Sequence, residues 1–405
     1  MAILTKVRNV PRELSLFAVA SLSLGIAYSM VDSTFNNFVN EKFAITALQR
    51  SFLEFPRELP GFLVAFVSAA LWFLCSRRLS VVSMLLGVAG AMLIGFASSS
   101  YSIMVVWLFI YSLGQHLFMP LSATIGMELA REGKVGRRLG QLNAIRNLAI
   151  VLGSFFVVLG FKYMGLTFQG TFAIAAIVLM ISAVLLFSMS PSEAKPPKMY
   201  LKLHTGYRLY YTLAVIAGAR KQLFITFAPW VLVKIFEQPT QIMATLFTIS
   251  GIIGILFQPF LGRAIDRFGE RAVLASEAVI LIFICFGYGY AKFLLPERIA
   301  FLVVCLCFLV DQMIFSVSMA RSTYMKRIAK QPEDVQPTLT VAVTIDHIFS
   351  ITAAVLGGLI WNAFGFQYVF LLGAIIAIIN LTAVLQVRIP KQALPNVGVV
   401  PQINE

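Results

Sequence analysis

Twelve apolar runs, each long enough to cross a lipid bilayer, dominate this 405-residue chain. A spanning helix needs roughly 20 apolar residues. In lipid the backbone has no water to hydrogen-bond, so runs of this kind cross as helices. The sequence therefore predicts an all-α membrane protein with twelve transmembrane helices, over residues 14–39, 47–75, 80–98, 103–128, 139–162, 169–189, 207–233, 241–262, 272–294, 299–325, 338–361 and 365–388.

Charge is scarce and is placed between the runs. Charged residues make up 12% of the chain, about half the share of a soluble protein. When the residues at span ends (Lys162, Arg208, Lys292 and Arg388) are counted with the adjoining segment, 21 of the 32 Lys and Arg residues fall in segments that are cytoplasmic if the N-terminus is cytoplasmic, five in external segments and six in spans. This bias follows the positive-inside rule. It predicts that both termini are cytoplasmic and that the first span is retained. It also predicts that the net charge of +14 reflects contact with a membrane surface rather than with nucleic acid.

A polar segment divides the spans into two sets of six. Residues 190–206 (SPSEAKPPKMYLKLHTG) contain Pro and Lys and read as a cytoplasmic linker. We predict six-helix bundles over 1–189 and 207–388 and a cytoplasmic tail over 389–405. The two bundles share a weak repeat, since 113–119 resembles 309–315 and 145–147 resembles 345–347 at nearly equal offsets. Chance similarity between apolar helices is the alternative, but parallel six-helix repeats are a known transporter architecture.

A short charged island separates spans eight and nine. It reads Gly262-Arg263-Ala264-Ile265-Asp266-Arg267-Phe268-Gly269-Glu270-Arg271, or G-x-x-x-D-R-x-G-x-R. This pattern resembles the cytoplasmic loop signature of major facilitator superfamily transporters. The first-half counterpart, residues 73–79, has basic residues but lacks the Gly and Asp. The resemblance implies a monomeric alternating-access transporter whose cytoplasmic gate includes Gly262, Asp266, Arg267, Gly269 and Arg271.

Charges inside the spans avoid the helices that the resemblance places in lipid. A charge at the centre of a spanning helix costs roughly 2.5–3.5 kcal/mol on insertion scales, so such residues usually face a wet interior. Spans three, six, eight and twelve have none at depth, and span nine has only Glu277, near its start. In the superfamily, helices three, six, nine and twelve face lipid, and helices one, four, seven and ten line the cavity.

Six charged or titratable side chains are predicted to contact substrate: Arg57, Glu58, His116, Arg146, Arg220 and Lys221. Arg220 and Lys221 are adjacent, so they point about 100° apart on a helix. Two cations favour a substrate with an anionic group, which the Arg fork matches well. The acidic residues inside the spans nearly balance the basic ones, so the alternative is that these residues only form salt bridges with one another in the empty cavity. For Arg57 and Glu58 the alternative is a structural network that ties helix two to helix eleven.

Four further residues are predicted to couple transport to protons: Glu54, Asp311, Asp346 and His347. A carboxylate near a cation in low dielectric can titrate between conformations, and histidine titrates near neutral pH. The histidines could instead only hydrogen-bond between helices. A metal site built from His116, His347, Asp311 and Asp346 is chemically possible, but its spacing is not diagnostic and cations lie nearby. The sequence analysis predicts no metal and no cofactor.

These features together predict a secondary transporter in the cell membrane that moves a small organic solute, with an anionic group, and is proton-coupled. Efflux of amphipathic drugs or lipids is the alternative within transport. A non-transporting receptor or a metal-binding intramembrane protein is the alternative of another class. No nucleotide-binding loop, Ser/His/Asp set or H-E-x-x-H motif supports an enzyme. Cys75, Cys285, Cys305 and Cys307 all fall in apolar runs and are predicted to be buried free thiols.

Overall fold

The computed structural model describes residues 12–71, 73–130, 135–191, 205–331 and 334–388, and these residues contain helices and no β-strand. We number the helices in chain order as α1 Arg12–Phe43, α2 Ala47–Phe52, α3 Glu54–Ala70, α4 Ser76–Phe96, α5 Tyr101–Glu128, α6 Val135–Tyr163, α7 Phe168–Phe187, α8 Arg208–Lys234, α9 Thr240–Leu294, α10 Glu297–Ile314, α11 Ser318–Ile328, α12 Val335–Phe364 and α13 Phe366–Leu385. The all-α prediction is confirmed. The predicted linker and tail, apart from residues 190, 191, 205 and 206, lie outside the described residues.

The length and composition of the helices confirm a membrane protein. By themselves they do not reproduce the predicted count of twelve spans. Nine helical segments of the described chain are long and apolar enough to cross a bilayer. One of them, α9, holds both span eight and span nine. Spans two and seven are also helical, but α3 is only 17 residues long, and α8 carries Arg220 and Lys221 near its middle.

The charged island is helical over most of its length, which differs from the predicted loop. The backbone of the 55-residue α9 leaves the helical region only at Gly269, where φ is 80° and ψ is 163°. Arg263 to Phe268 contain no helix breaker, so nothing in the sequence stops the helix before this glycine. The chain therefore turns at Gly269, in a conformation that is almost confined to glycine.

Span two is broken as well. A capping box at Thr46 starts α2, and Leu53 separates it from α3. Pro60 lies inside α3, and the helix ends at Ala70 rather than at the predicted residue 75. Span ten likewise consists of α10, a 3₁₀ turn over Phe315–Val317 and α11. These interruptions fall in span two, which carries four charges, and in span ten, which carries Asp311.

The helices of the first half (α1–α7) meet those of the second half (α8–α13) along two seams. One seam packs α6 against α9, and the other packs α2 and α3 against α12. Within the first half, α4 packs on α5 and α7, and within the second half α8 packs on α12 and α13. The domain boundaries at 189 and 207 stay a prediction.

We call the side of the bundle that carries Gly262–Arg271 the island side. The far ends of the helices on the opposite side join the two halves: Asn37 donates to the Gln238 carbonyl at 2.9 Å, Lys234 to Asn40 at 3.1 Å and Gln241 to the Phe161 carbonyl at 3.3 Å. A large apolar core that includes Phe38, Trp230 and Phe236 covers the same region. The bundle is therefore sealed on the side away from the island.

Candidate functional site

A cavity of about 280 Å³ extends from mid-depth towards the island side. Its deep end contains Arg220, Lys221 and Asp346, and its outer end contains Tyr210, Arg321 and Leu339, near the island-side ends of α8, α11 and α12. The remaining lining residues are Ala214, Ala217, Phe315, Ser318, Ser322 and Ala342. The wall is apolar except for a few charged and hydroxyl groups, as is usual for a site that binds a small ligand.

Lys221 and Asp346 form an ion pair in this cavity. Lys221 Nζ lies 2.5 Å from Asp346 Oδ2. The side chains remain 29% and 22% exposed, which makes Lys221 more accessible than its neighbour Arg220 at 6%. Gly218 makes the approach of α12 possible, because a Cβ there would collide with the Asp346 carboxylate. This pair is the most exposed charged group of the cavity lining.

Arg220 contacts different partners from those of Lys221, because adjacent residues on a helix point in different directions. Its guanidinium lies 3.4 Å from Asp311 Oδ1 and 3.6 Å from Glu277 Oε1. Glu277 also accepts from Arg321 at 3.0 Å. Phe224 and Phe315 lie against the Arg220 guanidinium at 5.5 and 5.4 Å from their ring centres. A chain of alternating charges thus runs from the deep end of the cavity to its outer end.

Asp311 is the most deeply buried acid of this chain of charges. It is 1% exposed, and its Oδ2 has no hydrogen-bond partner among the described residues. Its one contact with Arg220, at 3.4 Å, is long for a charge-assisted hydrogen bond. A buried carboxylate with an unpartnered oxygen is costly to keep ionised. The predicted coupling residue Asp311 is therefore buried and only partly hydrogen-bonded.

The predicted residues Glu58, His116 and His347 meet where the halves join. Glu58 Oε2 lies 2.6 Å from His347 Nδ1, so α3 and α12 are bonded across the seam. The His116 ring, on α5, packs edge-on against His347 with 5.6 Å between ring centres. The structure thus brings Glu58 to His347 rather than to the cations of the cavity.

Glu54 and Arg57 belong to a second network towards the sealed side, which is buried at Arg50 and Glu54 and partly exposed at Arg57 and Asp32. Arg50 donates to Glu54 Oε1 at 2.5 Å and to Asn36 at 2.8 Å, and Gln222 donates to Glu54 Oε2 at 2.7 Å. The Arg57 guanidinium lies 3.6 Å from Asp32 and 3.8 Å from Glu54. Glu54 is 1% exposed. The predicted helix-two charges therefore divide between a sealed network and the Glu58–His347 contact.

Arg146 and the charged residues of the island are exposed. Arg146, Asp266, Arg267 and Arg271 all have exposed side chains, and none of them forms an ion pair with another described residue. Gly262 is helical, with no atom within 4 Å of an added Cβ. The buried acid of this segment is Glu270, whose Oε1 lies 2.8 Å from Arg327 Nε.

Sequence reasoning missed four residues that take part in these networks: Asp32, Glu270, Glu277 and Arg321. Asp32 and Glu277 were visible as charges inside spans, but their depth suggested the membrane surface. Glu277 is seven residues after Glu270, which is two turns of helix, so both acids lie on one face of α9. That spacing was a usable signal, and it places the two acids opposite Arg327 and Arg321 on α11.

The fold and the cavity define a class of protein. Two sets of helices meet around charged residues that lipid would not accommodate, and a solute-sized cavity reaches these residues from one side only. Such an arrangement, with a chain of ion pairs at mid-depth, is typical of a membrane transporter.

Comparison with known proteins agrees. The sequence model of the Major Facilitator Superfamily matches residues 17–338, with a second, overlapping match over 213–401. The chain belongs to the major facilitator superfamily, as its island pattern suggested, and it is a multi-pass transporter of small solutes. No curated protein sequence matches the chain significantly.

Solved structures of the same fold are distant in sequence. The nucleoside transporter NupG superimposes with a TM-score of 0.73 at 13% identity, covering 93% of this chain and 100% of that one. A point mutant of NupG gives the same TM-score at 14% identity, covering 93% and 99%. A D-xylose-proton symporter superimposes with a TM-score of 0.67 at 16% identity, covering 91% and 95%. At these identities the likeness shows the fold alone.

Proposed function

We propose that this protein is a proton-coupled transporter of a small organic solute with an anionic group, oriented with the island side in the cytoplasm. The observation that carries the proposal is the Lys221–Asp346 ion pair, which is exposed to the cavity. The positive-inside bias of the sequence supports this orientation in the cell membrane.

The pair supplies a physical link between proton and solute. Protonation of Asp346 removes its charge and leaves Lys221 without its partner. A carboxylate or phosphate of the solute then takes the place of Asp346 at Lys221 Nζ. Solute and proton therefore bind together, because each makes the site favourable for the other.

Arg220, Glu277, Arg321 and Asp311 support the same function. Their charges balance one another, so they stabilise an empty cavity and reorganise when one member is neutralised. Asp311, with its unpartnered oxygen, is the second proton-coupling group. The cavity of about 280 Å³ is at the small end of ligand sites, which run from about 300 Å³ upwards. Solutes of metabolite size fit it better than large amphipathic drugs.

Two structural neighbours are consistent with this class of cargo. By name, one carries nucleosides and another carries D-xylose together with a proton. Both descriptions belong to those proteins, and they show that the shared fold serves small polar solutes.

Transport in proteoliposomes tests the proposal. A thermal-shift screen of organic anions, cations and neutral lipophiles first supplies the solute. With an imposed pH gradient, we expect wild-type protein to accumulate the anion. Asp346→Asn should abolish gradient-driven accumulation while solute exchange continues, because the Asn side chain is permanently neutral. Lys221→Gln should weaken solute binding at least tenfold, because it removes the cation that the anionic group of the solute binds in place of Asp346.

Lys292→Gln is the matched control. Lys292 lies at the sealed side, where it donates to the Ile235 carbonyl, and its substitution should leave transport unchanged. Full proton coupling in Asp346→Asn, or hits confined to cations and neutral lipophiles, would overturn the proposal. The latter result would favour efflux of amphipathic compounds.

We also propose that the island closes the cytoplasmic side in the opposite conformation. Asp266, Arg267 and Arg271 are exposed beside the open cavity and are free to contact the first half when it approaches. Asp266→Asn should raise the accessibility of cysteines placed at cavity residues such as Ser318. Unchanged labelling would show that the island is an ordinary charged surface.

A further inference from the structure

Glu58, His116 and His347 form a cluster that the proposed transport cycle does not use. One ligand-capable atom of each residue lies within 4.8 Å of the other two. The three come from α3, α5 and α12, so the cluster is shared by the two halves. It is hydrogen-bonded separately from the Lys221–Asp346 and Arg220–Asp311 pairs, although Asp346 directly precedes His347 in α12.

The hydrogen bonding of His116 leaves one ring nitrogen available. His116 Nδ1 lies 3.0 Å from the Ser112 carbonyl oxygen and 3.1 Å from Ser112 Oγ. A carbonyl only accepts, so Nδ1 carries the hydrogen, and a neutral His116 has its lone pair on Nε2. Metal-bound histidines are commonly oriented in this way, through a carbonyl or carboxylate on the other nitrogen.

Gly61 keeps open the space between the two imidazoles. A Cβ at this position would lie 2.7 Å from His347 Cε1, 2.8 Å from His347 Nε2 and 2.9 Å from His116 Cδ2. Each imidazole ring therefore presents an edge to Gly61, which has no side chain. Any larger residue at position 61 would occupy the point where the two edges face each other.

We propose that Glu58, His116 and His347 bind one divalent transition metal ion, with Zn²⁺ as the best fit. Two imidazoles and one carboxylate, with a further position left for water, form a common Zn²⁺ ligand set. Ligand atoms in a tetrahedral site lie about 3.4 Å apart, given bonds of about 2.0–2.1 Å. The cluster closes to that size when side-chain rotation moves the ligand atoms by roughly 1 Å. Imidazole ligands select Zn²⁺, Co²⁺ or Ni²⁺ over Mg²⁺ and Ca²⁺.

This metal site adds a function to the proposed solute transport, because a bound metal ion would regulate transport. Glu58 and His116 belong to the first half and His347 to the second. An ion held by all three joins the halves in the conformation whose cavity opens on the island side. Metal binding therefore opposes the change of conformation, and turnover should stop at saturating Zn²⁺ and recover when a chelator is added.

Equilibrium binding to the purified full-length protein tests the site. We expect Co²⁺ to bind at one ion per chain and Zn²⁺ to displace it, with X-ray absorption reporting nitrogen and oxygen ligands only. His116→Ala and His347→Ala should each lower the affinity at least tenfold, and Glu58→Gln should lower it as well. His204→Ala replaces the third histidine of the chain, which lies outside the described residues, and should bind as wild type does.

Gly61→Ala gives a second test that keeps all three ligands. Its methyl group would stand between the rings, so the metal affinity should fall at least tenfold. Gly140→Ala, where an added Cβ has no atom within 4 Å, is the matched control and should bind normally. Thermal melting identifies any variant that fails to fold.

The result that overturns the proposal is wild-type protein that fails to bind Zn²⁺ or Co²⁺ below millimolar concentration. Binding that survives in the His116→Ala/His347→Ala double variant, or sulfur ligands in the absorption spectrum, would overturn it equally. Because binding is measured without solute, its failure is distinguishable from a failure of the transport proposal.

Discussion

At the scale of single residues, Arg50 shows how a charge is accommodated at depth. The side chain is fully buried but hydrogen-bonds Glu54 and Asn36. Glu54 in turn accepts from Gln222 of the second half. Each group offsets the desolvation of the next, so the network costs little when it is complete and much when one member is missing.

Arg50→Met should therefore destabilise the protein by about 3 kcal/mol, because it leaves the buried Glu54 charge without its closest partner. Thermal melting of detergent-solubilised protein measures the effect. Arg12→Met is the matched control, since Arg12 pairs with Glu13 at 3.7 Å while 72% exposed, and such surface pairs contribute about 0–1 kcal/mol. Equal shifts in the two variants would contradict the assignment of a structural network.

At this scale the sequence predicted which residues carry charge inside the bundle, but it did not predict which partners these residues contact. The sequence predicted that Arg220 and Lys221 diverge, and the structure pairs them with Asp311 and Asp346 respectively. A tie between helices two and eleven was one of the two interpretations of Glu58, but the sequence did not identify His347 as its partner, at a sequence separation of 289 residues. Partners so far apart in the chain are chosen by helix packing, about which a single sequence has no local signal.

At the scale of helices, Gly269 decides where spans eight and nine separate. Its φ of 80° and ψ of 163° are available to glycine and costly for other residues. The turn directs Glu270 into the bundle, where it meets Arg327, while Phe268 and Arg271 remain outside. A single glycine thus sets the direction of the helix that carries both Glu270 and Glu277.

Gly269→Ala should cost about 1–3 kcal/mol through backbone strain, although an added Cβ has no neighbour within 4 Å. We expect a lower melting temperature and greater protease sensitivity at the island. Gly140→Ala lies in a helix with equally open space and should be neutral or slightly stabilising, because alanine favours helix by about 1 kcal/mol. A neutral Gly269→Ala would indicate that the turn is not strained.

At the scale of the whole molecule, hydrogen bonds join the two halves on the sealed side and at mid-depth. Thr248 Oγ1 donates to Ser154 Oγ at 2.9 Å across the α6–α9 seam, and Gly251 brings the same helices close. These contacts must separate if the cavity is to open on the other side. The seam is therefore the place to arrest the cycle.

Ser154→Cys combined with Thr248→Cys should form a disulfide, because the two hydroxyl oxygens already lie within reach of one S–S bond. Oxidised protein should still bind solute from the island side but should lose transport, and a reductant should restore it. Each single variant should transport under both conditions, as should wild type, whose four cysteines are free. Transport by the cross-linked protein would show that the seam does not open.

The sequence alone determined the class of protein and its all-α, membrane-spanning architecture, because insertion into lipid is governed by local composition. Apolar runs, basic flanks and the rarity of charge at depth are all readable along the chain. Which acid meets which base, where α9 turns, and which side is open depend on how distant helices pack. Only the tertiary structure decided these. It therefore separated the Lys221–Asp346 pair from the Glu58–His116–His347 cluster, where the sequence predicted a substrate-binding set and a proton-coupling set that each included residues of both.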